Sequence, residues 1–172
     1  MKKESALADF WQSFLASLPQ GSEFSLKSFD AWSFCDNKED ANELGDLVKA
    51  GIKTATCSLI WAYEIEKEEL PRVGDLSIIT NWEGEPLCII ETIEAQVKAF
   101  NEVDDRFAYD EGEGDRSLAY WRAVHWEAFS RECSDIGCKP AETMPLLCER
   151  FRVIFINQAA SATTSEEGFT AA

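Results

Sequence analysis

At 172 residues the chain is sized for one domain, and a composition 45% hydrophobic and 12% aromatic is enough to build a core. Its 32 acids against 16 bases give a formal net charge of −16, which repels a bare polyanion and sets aside a long nucleic-acid duplex as a partner. No run approaches the roughly 20 apolar residues of a membrane span, and the first eight residues lack the apolar run of a secretion signal, so no membrane partner and a cytoplasmic location are expected.

Residues 4–18 read as an amphipathic helix, with Leu7, Phe10, Trp11, Phe14, Leu15 and Leu18 at three- and four-residue steps. Pro19, Gln20 and Gly21 end it. Residues 22–37 are loop-like, but Phe24, Leu26, Phe29, Trp32 and Phe34 pin part of the segment to a core. Asp36 or Asn37 caps a second helix over 38–50, striped by Ala41, Leu44, Leu47 and Val48. Gly51 falls where a left-handed C-terminal cap sits.

Lys53 to Ser58 is rich in small and β-branched residues, and 59–69 looks helical. Residues 71–75 form a turn. Strands follow over 76–81 and 86–93, joined by Trp82-Glu83-Gly84-Glu85, with strand signal continuing to Phe100. Leu118 to Glu132 is a helix whose face carries Leu118, Trp121, Val124, His125, Ala128 and Phe129. The last strand spans 145–156, and the polar residues 157–172 read as a disordered tail. Strands and helices do not alternate regularly, so an α+β fold is expected.

Cys35, Cys57, Cys88, Cys133, Cys138 and Cys148 include no Cys-x-x-Cys pair, and His125 is the single histidine. Reduced, buried thiols are the expectation rather than a zinc site.

Two segments stand out chemically. In Lys53-Thr54-Ala55-Thr56 a lysine precedes a hydroxyl by three residues. A regular strand would place Lys53 and Thr56 on opposite faces, so shared chemistry needs a turn or bulge there. A lysine in a closed cleft can serve as base to a neighbouring hydroxyl nucleophile; an ordinary surface loop is the alternative. In Asp110-Glu111-Gly112-Glu113-Gly114-Asp115-Arg116-Ser117, four acids crowd ahead of a helix. Asp115 and Ser117 are natural caps. Glu111 and Glu113 are left over, and such carboxylates share protons or hold Mg²⁺.

These segments, with Val73-Gly74-Asp75, Phe107 to Trp121 and Cys148-Glu149-Arg150-Phe151, resemble the longer bacterial ASCH-domain proteins. The resemblance runs from about Ala31 to Phe155. It implies a β-barrel similar to the PUA domain of RNA-modifying proteins, flanked by α-helices, with residues 1–30 forming a helix and connection packed on it. A short ASCH enzyme is similar to N4-acetylcytidine amidohydrolases. By that similarity Lys53 would be the base, Thr56 the nucleophile and Glu111 the proton relay, without a cofactor. Gly51, Thr54, Ser58, Glu113, Arg116, Ser117 and Tyr120 would contact a small nucleoside or a short single-stranded RNA. Ser58 stands where that signature commonly carries an arginine. The similarity also reaches metal-assisted ribonucleases, in which case Ser117 would matter and Glu111, Glu113 and Asp115 would hold Mg²⁺. A non-enzymatic RNA or nucleotide reader is the third expectation.

Overall fold

A computed structural model describes residues 2–156; the tail expected to be disordered lies outside the described residues. The first helix, α1 (Lys2–Ser17), turns its apolar stripe inward. Phe10, Trp11 and Phe14 pack on Leu76, Ile78 and Ile89. After a single 3₁₀ turn at Glu23–Leu26 comes β1 (Asp30–Trp32), a short strand the periodicity does not reveal. Helix α2 (Lys38–Lys49) starts at Asn37, whose side chain accepts from the Asp40 backbone N–H at 3.0 Å. It stops at Gly51, which has φ +70°.

Among the described residues, five strands make one curled sheet, a half-barrel, in the order β1-β3-β4-β5-β2. β2 is Ala55–Leu59, β3 Leu76–Thr80, β4 Pro86–Ala99 and β5 Pro145–Ile156. The β1–β3 pair is parallel and the rest are antiparallel. Register shifts at Ile89/Ile90 and Thr92/Glu94 bend the long β4 strand, as bulges do. Alternation decides which layer each residue joins: Ile78 pairs with Ile89 and meets α1, whereas Ile79 pairs with Cys88 and meets Val48 of α2.

The helix expected over 59–69 is the shorter α3 (Ile60–Glu66), ended by Lys67 in the left-handed region. A third apolar cluster sits under α4 (Asp105–Glu111) and α5 (Leu118–Asp135). There Phe107, Trp121 and Phe129 pack on Ala55, Leu59, Leu146 and Cys148. The α+β architecture of a PUA-like half-barrel flanked by helices is therefore the observed one. All six cysteines are free; Cys88, Cys133 and Cys148 are buried, but Cys35 is exposed. No helix among the described residues is long and apolar enough to cross a membrane.

Candidate functional site

Lys53 follows α2 and precedes β2 in an irregular stretch tied down by its own backbone. The Ile52 and Lys53 N–H groups both donate to the Leu47 carbonyl. The Thr54 N–H donates to the Asp110 carbonyl at 2.8 Å, and the Thr54 carbonyl accepts from Phe151 N–H at 3.0 Å. This clamps the segment between α4 and β5 and sends the lysine inward. Because β2 begins only at Ala55, the face alternation does not extend back to Lys53, and Lys53 and Thr56 line one cleft.

Glu111 meets the lysine from the last turn of α4. Lys53 and Glu111 are each only 1% exposed. Lys53 Nζ donates to Glu111 Oε2 at 2.5 Å and to Glu113 Oε1 at 2.7 Å, and lies 5.2 Å from the centre of the Phe34 ring. The other Glu111 oxygen accepts from Trp121 Nε1–H at 3.1 Å and stands 3.5 Å from His125 Nε2. His125 stacks on Trp121, with Nδ1 3.0 Å from the Trp121 carbonyl. Burial alone would lower the Lys53 pKa, but the Glu111 and Glu113 carboxylates raise it above the ordinary lysine value. Burial pushes the Glu111 carboxyl up; Lys53 and then His125 outweigh that and hold it below its usual range. The resting pair is thus ammonium and carboxylate. Burial and the neighbouring Glu111, on which the thiol is hydrogen-bonded, push the Cys57 pKa up.

Two glycines make this approach possible. Gly112 ends α4 with φ +76°, and a Cβ there would lie 2.7 Å from the Ile52 carbonyl oxygen. At Gly114 a Cβ would fall 2.3 Å from the Tyr120 ring.

Among the residues singled out in the sequence, Lys53, Thr56, Ser58, Glu111, Glu113 and Tyr120 share one cleft of about 640 Å³. Gly51 is a helix stop with nothing near its Cα face. Thr54 is a strand-to-helix tie through the Asp110 carbonyl. Arg116 lies over the Tyr109 ring at 3.6 Å and donates to its carbonyl. Ser117 caps α5 by accepting from Tyr120 N–H. These four are framework, not cleft wall. Glu111 and Glu113 converge on Lys53, while Asp115 accepts from Ser117 N–H, so the three do not form a common cation site.

The cleft also holds Phe34, Cys57 and His125, which sequence reasoning assigned to packing. The available signal was the lone histidine four residues after Trp121, on the face that follows the acidic block. Ligand atoms of Cys57, Glu111 and His125 lie within 4.8 Å of one another, the one such group among the described residues. The Lys53 ammonium on Glu111 opposes a divalent cation there.

The model of the ASCH domain family matches residues 30–155. A crystal structure of an ASCH domain from Lactobacillus crispatus is 39% identical, covering 88% of this chain and 95% of its own, with a TM-score of 0.84. A protein from Enterococcus faecalis is 32% identical, covering 97% and 99%, with a TM-score of 0.78. No functionally curated protein matches.

Proposed function

The chain belongs to the ASCH domain family, and from that premise we propose that it hydrolyses a small N-acylated nucleoside, with Thr56 as nucleophile. The observation that carries the reading is the buried Lys53–Glu111 pair opening on the same cleft as the Thr56 hydroxyl. A hydroxyl attacks a carbonyl only if something takes its proton. The Lys53 ammonium cannot do so as it rests. One proton shift from Nζ to Glu111 Oε2, across 2.5 Å, gives a neutral amine and a neutral acid. A substrate that fills the cleft and expels water favours this shift, because desolvation penalises both charges. The Lys53 amine then accepts the Thr56 proton, the acyl group passes to Thr56 as the C–N bond breaks and the amino nucleoside leaves with one proton, and water releases the acyl group as the carboxylic acid.

Charge supports a nucleoside over RNA. Asp36, Asp40, Glu43, Glu127 and Glu132 line the cleft with Glu113, against Arg131. Phosphates would be repelled, whereas a neutral ring can lie against Phe34 and Tyr120. The volume suits one such molecule. None of these steps needs a metal. The test is conversion of N4-acetylcytidine to cytidine, followed by chromatography with EDTA present. Sustained turnover supports the reading; none from folded protein discards this substrate class.

A further inference from the structure

Thr56 also belongs to the wall of a second chamber of about 830 Å³, inside the half-barrel between β1 and β2. Its floor is formed by Ile90, Thr92, Glu149 and Phe151. Thr56 and Glu149 are direct partners in the β2–β5 register. Their side chains therefore leave the same sheet face, with Cβ atoms about 4.5–5.5 Å apart. Glu149 is 8% exposed, yet the one hydrogen bond to its carboxyl group among the described residues is from the Thr92 hydroxyl to Oε1, at 3.2 Å. No sealed, unpartnered side-chain oxygen exists among the described residues, so Oε2 faces the chamber. Burial, and to a lesser extent Asp75, push its pKa up to about 7 against the Thr92 hydrogen bond, so near neutral pH it carries a proton part of the time. Asp30, Tyr63, Glu68, Glu69, Arg72 and Asp75 are the other charged or titratable groups lining the chamber, with the Cys35 and Cys57 thiols. Arg72 pairs with Glu69, and among the described residues Glu149 has no ion-pair partner.

A buried carboxyl without a counter-ion is costly to keep, and its place beside the nucleophile gives it a use. We propose that Glu149 is a further catalytic residue, the acid that protonates the leaving nitrogen on the side of Thr56 away from Lys53. This rests on the hydrolase reading above. Thr56 Oγ bonds to the acyl carbon as its proton passes to the Lys53 amine. The C–N bond breaks with its electron pair on nitrogen, which takes the Glu149 proton and leaves as the free amino nucleoside. Water then attacks the Thr56 ester and gives a proton to the Glu149 carboxylate. Lys53 returns its proton to Thr56 Oγ as the carboxylic acid departs. Both groups end as they began.

Glu149→Gln keeps the shape and the Thr92 contact, and removes the proton. Wild type and variant are compared on N4-acetylcytidine across pH, and on p-nitrophenyl acetate by the p-nitrophenolate burst. The phenolate leaves without a proton. The expected result is a loss of about 10²–10⁴-fold on the amide, no fall in the variant's residual activity above pH about 7, and an unchanged burst on the ester. Equal losses on both substrates would mean a structural role and overturn the proposal, as would full amide activity in the variant. No amide turnover by wild type would overturn the hydrolase reading and this assignment with it, whereas wild-type turnover with an indifferent variant overturns this assignment alone.

Discussion

At the scale of single residues, Lys53 and Glu111 are bound to each other's presence. Each was legible as unusual: a lysine where small strand residues follow a helix, and a glutamate left over by the caps. Their meeting was not legible, because 58 residues separate them and it is contacts between distant segments, such as the Thr54–Asp110 backbone tie, that close the gap. Removing one partner strands a buried charge, which costs about 3–5 kcal/mol. Urea denaturation of Lys53→Met is expected to show a loss of that size, and Lys53→Met with Glu111→Leu to recover part of it. Glu111 adds acid sensitivity: its lowered pKa contributes stability that is present above the ordinary glutamate range and lost as pH falls through the folded value. Glu149 works the other way. Its folded pKa of about 7 exceeds the ordinary glutamate value of 4.5, so between those values the unfolded chain ionises before the folded one. Stability then falls with rising pH by roughly 3 kcal/mol across that window. Glu149→Gln should flatten this slope in melts taken from pH 4.5 to 7.5.

Among the elements, α4 matters most and was the least visible. Seven residues, Asp105–Glu111, are too few to show a helical period, and the acidic block masks the helix end. The short parallel β1 was hidden for the same reason. By contrast α1, α2, α5 and the β3–β4 hairpin were readable, because their apolar residues repeat over many turns or alternate around a clear turn. The end of α4 depends on Gly112, which has both a left-handed backbone and the Ile52–Lys53 main chain against its Cα. Gly112→Ala is expected to destabilise by at least about 1–2 kcal/mol from the backbone alone, and to lower turnover further by pushing Glu111 off Lys53. Gly114→Ala should be milder in urea, because its obstacle is the Tyr120 side chain, which can rotate. Equal stability losses in the two variants would contradict this difference.

For the whole molecule, the net charge of −16 is legible directly from the sequence, and the acidic cleft lining agrees with it. Hydropathy alone could not reveal that one lysine is folded inside that shell, since it places lysines outside by default. An acidic shell repels a phosphate over about a Debye length, ~10 Å at 0.1 M salt. Turnover of N4-acetylcytidine should therefore change little with salt. Its 5′-monophosphate should be the poorer substrate, with kcat/KM rising as salt increases. Equal efficiency for the two at low salt would show that the lining does not select.

The central claim is that the Thr56 hydroxyl performs the attack. Its Oγ has no hydrogen bond among the described residues and it is only partly buried, so the side chain can be shortened without unfolding the protein. Turnover of N4-acetylcytidine by Thr56→Ala and Thr56→Ser, each shown by its melt to be folded, is the most direct measurement. The account predicts that the alanine variant loses activity by about 10³-fold or more while the serine variant keeps a measurable part of it. An alanine variant as active as wild type would contradict it.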